Sequence, residues 1–111
     1  VLFEQVPVVE AWIDARARGP VDAVVLGDFN RRLATPGDPV WAEWDDGEPA
    51  AADLSEASGG RGATCNPRYP AFIDFIVLDA RAATRQQTFE EATYAGPPLS
   101  DHCAVAVTLA P

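Results

Sequence analysis

The sequence predicts an α/β or α+β fold in which a leading helix lies on one face of a mainly antiparallel sheet. Two observations carry this prediction. An amphipathic helical pattern opens the chain, and four segments with the character of strands follow it. The chain has 111 residues, of which 48% are hydrophobic and 23% charged, so we expect one ordinary globular unit spanning residues 1–111.

Residues 2–18 have the pattern of an amphipathic helix. Apolar residues recur at steps of three and four: Leu2, Val6, Val9, Trp12, Ile13 and Ala17. Pro7 is tolerated in a first turn but not deep inside a helix, so we expect the regular helix to start near it and to end at Gly19. The continuous apolar run in residues 22–26 then predicts a strand that is buried on both faces.

Residues 27–64 are predicted to form a long loop, because glycine and proline recur along the segment. Residues 50–57 could form one or two helical turns within it. Trp41 and Trp44 also lie there, so we expect part of the loop to pack against the domain. A loop of this length in a compact domain usually has a function.

Three further segments have the composition of strands. Residues 72–78 carry the strongest signal and place Asp74 in the middle of the strand. Residues 84–94 are polar and contain several threonines, which predicts a strand at an edge or with one solvated face. Residues 103–109 alternate β-branched and small apolar side chains and predict the last strand.

The charge balance argues against one class of function. Eight basic and seventeen acidic residues give a net charge of −9, whereas sequence-independent binding of nucleic acid depends on Lys and Arg that neutralise phosphates. A phosphate substrate remains compatible with the chain, because a bound divalent cation can dominate the local charge. No apolar run approaches the length of a membrane span.

Asp28 and Asn30 directly follow the first predicted strand. Two residues apart at the carboxyl end of a strand, their side chains point to the same side, and open α/β sheets bind ligands at that edge. Asp28 could position a water molecule or a metal ion, and Asn30 could hold a phosphate oxygen. The same residues also fit a simple turn, since Gly-Asp-Phe-Asn is a turn-favouring composition.

Asp74 and His102 are the next candidates. A buried carboxylate without a partner is strongly disfavoured, so Asp74 among its apolar neighbours needs a cation, a histidine or a metal; alternatively it faces solvent. His102 is the single histidine of the chain. We expect Asp74 to orient His102 and Asp101 to be free to reach a cation, although a lone histidine is more often an incidental residue.

Three motifs together resemble the last three motifs of the endonuclease/exonuclease/phosphatase family, which comprises DNase I-like metal-dependent phosphoesterases. They are Gly-Asp-Phe-Asn at 27–30, Ile-Asp-Phe-Ile-Val-Leu at 73–78 and Ser-Asp-His at 100–102, in the family's order. The resemblance extends from about residue 5 to residue 109, with a variable loop between residues 31 and 69. It implies the C-terminal half of a four-layered α/β/β/α sandwich.

The resemblance also implies metal-dependent hydrolysis of a phosphate ester, with a nuclease-like phosphodiester as the favoured substrate. The cation would be Mg²⁺, or else Mn²⁺ or Ca²⁺. Asp28 would orient or deprotonate the attacking water and contribute to the metal site, to which Asp101 would also belong. Asn30 and His102 would bind the scissile phosphate, and Asp74 would accept a hydrogen bond from His102 and favour its charged form.

The family's first half supplies a metal-binding glutamate that has no counterpart here, and the chain begins without Met. We therefore expect a piece of a longer protein, inactive by itself, with one sheet face left for a partner. That partner would be the missing N-terminal half or a second copy. The alternatives are a catalytically incomplete fragment that serves as an interaction module, and a phosphomonoesterase or lipid phosphodiesterase of the same family.

The sequence leaves alternatives for the residues that contact the substrate and for the state of the two cysteines. Candidates for phosphate contacts are Arg31 foremost and Arg32, Arg61 and Arg68; Trp41, Trp44 or Tyr69 could stack on a base. The arginines could equally only solvate the loops. Cys65 and Cys103 match no zinc pattern, and either a bridge between them or a free Cys103 in the core is possible.

Overall fold

The computed structural model describes residues 2–33, 35–47, 54–92, 95–97 and 99–111. Its elements in chain order are α1 (Leu2–Ala17), β1 (Val24–Asp28), α2 (Pro39–Trp44), β2 (Leu54–Glu56), β3 (Asp74–Asp79), α3 (Ala80–Arg85), β4 (Gln86–Ala92) and β5 (Ala104–Leu109). The strands form two antiparallel sheets, one with the order β1-β3-β2 and one that pairs β4 with β5. The described residues thus make a small α+β domain with a leading helix.

Helix α1 buries only part of the face predicted from its sequence. Val6, Ile13 and Ala17 are buried, whereas Val8, Val9 and Trp12 are exposed. The expectation that the helix starts near Pro7 is wrong, because the helix begins at Leu2 and contains the proline. Pro7 lies close enough to the N-terminus that it removes a single intrahelical hydrogen bond. No helix in the described part of the chain is both long and apolar enough to cross a bilayer.

Strand β1 continues two residues past the predicted end and finishes at Asp28. It pairs with β3 in an antiparallel register that sets Asp28 opposite Asp74. The expectation that both faces of this strand are buried is wrong, since Val24 is 40% and Leu26 is 69% exposed. Among the described residues, the apolar cluster on that face contains Ile76 and Leu78 of β3 but neither Val24 nor Leu26, so the cover ends before the edge strand β1.

Strand β3 is the centre of the three-stranded sheet and is buried from Phe75 to Asp79. The sequence placed Asp74 in the middle of this strand, and this is wrong, because Asp74 is its first residue. The strand therefore presents Asp74 at its end, where the carboxylate is only half-buried. Next to it, Phe29 packs edge to face on both Trp44 and Phe75, with ring centroids 5.8 and 6.1 Å apart.

The long predicted loop contains two short elements. Helix α2 begins where the carboxylate of Asp38 accepts hydrogen bonds from the backbone N–H groups of Val40 and Trp41. The expected packing of this segment is confirmed by Trp44, which is buried. The helical turns expected over residues 50–57 are wrong for Leu54–Glu56, which pair with β3 as a strand; residues 50–53 lie outside the described residues.

The polar strand predicted at 84–94 is shorter in the structure. Residues 84 and 85 belong to α3, because the buried carboxylate of Asp79 accepts a hydrogen bond from the N–H of Ala82 and begins a helix there. Strand β4 then starts at Gln86, and residues 93–94 lie outside the described residues. The two sheets meet where Phe72 packs edge to face on Phe89 at 5.7 Å. The start of β5 lies close to the start of β3, because His102, two residues before β5, contacts Asp74.

Candidate active site

The strand register brings together three side chains that are far apart in the sequence. Asp28 ends β1, Asp74 begins the neighbouring strand β3, and His102 lies in the turn that precedes β5. One carboxylate oxygen of each aspartate and one ring nitrogen of the histidine all lie within 4.8 Å of one another. The group is open to solvent, so a ligand can reach it without a conformational change.

His102 and Asp74 form the closest pair of this group. The Nδ1 atom of His102 lies 2.7 Å from Oδ2 of Asp74, and the backbone N–H of His102 donates to the hydroxyl of Ser100 at 3.0 Å. The hydrogen bond and the negative charge of Asp74 raise the pKa of His102 above its ordinary value, and the charges of Asp28 and Asp101 add to the effect. The imidazole is therefore biased towards its charged form, with Nε2 as the nitrogen available to a substrate.

Asp28 is held by the backbone of the turn that follows it. Its Oδ1 atom accepts a hydrogen bond from the N–H of Asn30 at 2.8 Å. Asn30 has a φ of 52°, a left-handed conformation that asparagine tolerates better than most residues. Gly27 precedes the carboxylate with a φ of 152°, which a side chain would strain. Both unusual backbone positions thus help to orient the carboxylate of Asp28. The motif can therefore be a turn and part of a functional site at the same time.

Asp101 lies beside this group but outside its 4.8 Å cluster. Its backbone carbonyl accepts a hydrogen bond from Nδ2 of Asn66 at 3.1 Å, and its side chain is exposed. Asp101 and His102 both line a cavity of about 230 Å³. The remaining residues of that cavity are Arg32, Ala63, Arg68, Tyr69, Pro70, Ala71, Phe72, Ile73, Asp74 and Cys103.

A brace holds the His102 turn against the loop before β3. Cys65 and Cys103 are joined by a disulfide, with their Cα atoms 5.8 Å apart. On β4, the carboxylate of Glu91 accepts hydrogen bonds from the backbone N–H groups of Thr64, at 2.8 Å, and of Cys65. Asn66 completes the contact through Asp101. The turn that carries the histidine is therefore fixed from two sides.

Among the described residues, two sets lie close enough together to hold a metal ion. Asp28, Asp74 and His102 form one, with two carboxylates that suit a hard divalent cation. Cys65, Glu91 and Cys103 are equally close together, but the two sulfurs are bonded to each other and offer no thiolate. Among the described residues, the aspartate and histidine group is the chemically suitable one.

The structure gives Arg31 a partner within the protein. Its Nε atom lies 2.7 Å from Oδ2 of Asp38, the residue that caps α2, and its guanidinium lies 5.5 Å from the ring of Phe3. Arg31 does not line the cavity beside His102, whereas Arg32 and Arg68 do. Sequence reasoning missed Asn66 and Glu91, whose partners lie more than twenty-five residues away in the chain, so no local pattern could have revealed them.

The site can now be set against proteins that are already known. The chain matches no protein family model, no curated protein and no solved structure. The resemblance to the endonuclease/exonuclease/phosphatase family accordingly rests on the three motifs alone.

Proposed function

We propose that this chain carries the phosphate-handling part of a metal-dependent phosphoesterase, most simply a nuclease-like phosphodiesterase. The observation that supports this best is the meeting of three distant motifs at one end of the sheet, with Nδ1 of His102 at 2.7 Å from Asp74. A structural histidine has no need of two further carboxylates beside it. A phosphoryl transfer site does, because it must position water and balance charge in one place.

Each side chain has a defined task in this proposal. Asp28 accepts a proton from the attacking water or orients that water. Asn30 donates its carboxamide N–H to the scissile phosphate, since its backbone N–H is already used by Asp28. His102, kept charged by Asp74, donates from Nε2 to a phosphoryl oxygen, where negative charge builds up in the transition state.

The proposal includes a divalent cation, with Mg²⁺ as the first choice and Mn²⁺ or Ca²⁺ as alternatives. Of the cluster that could hold a metal ion, Asp28 would be the ligand, because Asp74 and His102 pair with each other. Asp101, which lies beside that cluster, would be the second ligand, as the resemblance to the family implies. Exposed carboxylate oxygens with room for water fit the coordination that Mg²⁺ prefers. When bound, the cation supplies a Lewis acid for the phosphoryl oxygens.

We also propose that the domain is half of a four-layered α/β/β/α sandwich. This proposal is supported by the apolar, uncovered side of β1, where Leu26 is 69% exposed at the edge of the sheet. A further stretch of the parent protein that packs on this face would cover it and supply the glutamate ligand of the family; a second copy is the other candidate.

The test is hydrolysis of bis-p-nitrophenyl phosphate and of plasmid DNA with Mg²⁺ or Mn²⁺. The chain and the longer protein that contains it are assayed beside the variants Asp28→Ala and His102→Ala. We expect activity in the longer protein and a loss of at least about 100-fold in either variant. An inert longer protein, or two fully active variants, would contradict the proposal.

Further substrates in the same assay separate the three alternative functions. The uncovered side of β1 favours an interaction module. In that case Asp28→Ala and His102→Ala would bind a partner normally, and neither the chain nor the longer protein would hydrolyse any of the substrates. A phosphomonoesterase would prefer p-nitrophenyl phosphate to the diester. A lipid phosphodiesterase would release the headgroup from phospholipid vesicles but leave plasmid DNA intact.

A further inference from the structure

The arginines of this acidic chain are almost all used within the protein. Arg18, Arg31, Arg81 and Arg85 pair with carboxylates, and the guanidinium groups of Arg16 and Arg61 donate to backbone carbonyls. Arg32 and Arg68 are different. Within the described part of the chain, no ion pair or hydrogen bond of their guanidinium groups is found, and Arg68 lies over the ring of Tyr69. Among the described residues, these are therefore the two positive charges that an external anion can reach.

Both of these arginines line the same cavity, which is the one beside His102. In a protein with a net charge of −9, these two arginines lie next to the candidate active site. The cavity wall also holds Asp74 and Asp101, but Asp74 is already bonded to His102. The position of the arginines thus favours a ligand that is anionic and that extends from the reacting phosphate.

The cavity also presents an aromatic surface. Tyr69 is 48% exposed, and Cζ of Arg68 lies 5.2 Å from the centroid of its ring. The other walls are apolar and include Ala71, Phe72 and Ile73. An exposed tyrosine with a guanidinium over its ring is the kind of platform on which a nucleobase stacks. Inorganic phosphate and glycerol 1-phosphate have no ring that could use this surface.

We propose that this cavity is the subsite for one nucleoside phosphate that adjoins the scissile phosphodiester. The base stacks on Tyr69, and the guanidinium groups of Arg32 and Arg68 pair with the non-reacting phosphate, a geometry for which arginine is well suited. Tyr69, Arg32 and Arg68 line one cavity of about 230 Å³, and in this proposal a single nucleotide unit contacts all three. The inference rests on the proposed function, for which it names the substrate class and the residues that select it.

The test measures binding and not turnover. The disulfide-bonded chain is titrated in EDTA with thymidine 5′-monophosphate, glycerol 1-phosphate and inorganic phosphate, and backbone amide shifts are followed by NMR. We expect the nucleotide to bind about tenfold more tightly than the other two, which is the size of one base–aromatic contact. Equal binding of the three ligands would mean a simple phosphate site and would overturn the nucleotide assignment.

Four variants separate the contributions of the residues. Tyr69→Ala should abolish the preference for the nucleotide, whereas Tyr69→Phe should keep it because the ring remains. Arg32→Ala and Arg68→Ala should each weaken all three ligands by about tenfold. The matched control is Arg16→Ala, which removes one positive charge from α1, away from the cavity. If Arg16→Ala weakens binding as much as the cavity variants do, the effect is one of overall charge and the subsite is wrong.

The outcome is independent of the hydrolysis assay. Selective nucleotide binding with no hydrolysis by the longer protein would retain the subsite and contradict the enzymatic proposal. Hydrolysis of DNA without selective nucleotide binding in this cavity would retain the enzymatic proposal and contradict the subsite.

Discussion

At the scale of single residues, the contact between Asp74 and His102 is the chemical centre of the site. We predict that Asp74→Asn lowers the pKa of His102 towards its ordinary value, because the main cause that raises it is removed. His102 is the single histidine of the chain, so its C2 proton gives one assignable NMR signal to titrate. Glu90→Gln on β4 is a matched control for charge and should leave the titration unchanged. An unaltered pKa in Asp74→Asn would contradict the pairing.

The raised pKa of His102 also fixes a pH dependence. A group with a higher pKa in the folded protein stabilises it most at pH values below the unfolded pKa, which is about 6.5 for histidine. That stabilisation is lost as the pH rises through the folded pKa. Activity that requires the imidazolium should fall over the same range, and in Asp74→Asn the fall should begin at lower pH.

Asn30 allows backbone and side chain to be tested separately. Asn30→Gly keeps the left-handed conformation and the N–H bond to Asp28, so we predict a change in the free energy of unfolding within about 0.5 kcal/mol. Hydrolysis by the longer protein should nevertheless fall about 100-fold, because the carboxamide that contacts the phosphate is gone. Asn30→Ala should lower stability by a further 1 kcal/mol or so, owing to strain. Full activity of Asn30→Gly would exclude a role for the side chain.

Asp79 is a residue whose importance the sequence did not reveal. Its buried carboxylate accepts hydrogen bonds from the N–H groups of Ala23 and Ala82 and lies 3.4 Å from Arg81. Burial raises the pKa of Asp79, but these donors outweigh burial and the net pKa is lowered. We predict that Asp79→Ala lowers the free energy of unfolding by about 2–4 kcal/mol, because buried donors lose their partner.

Denaturant unfolding as a function of pH checks the assignment of Asp79. Since its pKa is lowered in the folded state, the stabilisation is present above the unfolded pKa of about 3.9 and is lost as the pH falls through the folded pKa. In Asp79→Ala, the free energy of unfolding should fall less as the pH is lowered, because the contribution of the Asp79 carboxylate is already absent. Glu90→Gln, at an exposed position on β4, is the control and should stay within about 0.5 kcal/mol of the parent.

At the scale of elements, the disulfide and Glu91 hold the His102 turn on the sheet. We predict that reduction, or the pair Cys65→Ser and Cys103→Ser, lowers the free energy of unfolding by roughly 2–4 kcal/mol for a loop of this length. The pKa of His102 should also fall, because the turn no longer holds the ring against Asp74. A change in stability with an unchanged pKa would mean that the bridge supports the fold but does not position the histidine.

At the scale of the whole molecule, the uncovered side of β1 is the most unusual surface. We predict that the chain self-associates as its concentration rises, since Leu26 and Val24 expose apolar area at the edge of a sheet. Leu26→Lys should reduce the association in light scattering and change the stability of the monomer by less than about 0.5 kcal/mol. Val21→Lys, which alters an exposed residue outside the strands, controls for charge. A chain that stays monomeric at high concentration would contradict a second copy as the occupant.

The sequence alone predicts the α+β class, the leading helix, the strands β1, β3, β4 and β5, and the three motifs of the site. It could do so because periodicity and β-branched runs are local properties. It missed α2 and α3, since each has only six residues and depends on one capping carboxylate. Such short helices carry too little periodic signal to be distinguished from loop.

Tertiary structure alone decided how the motifs meet. The antiparallel register of β1 with β3 sets Asp28 opposite Asp74, and the brace from Cys65 and Glu91 sets His102 beside them. It also turned Arg31 towards Asp38 and left Arg32 and Arg68 in the cavity. Pairing between distant segments depends on packing and loop closure over the whole chain, so no local pattern contains it.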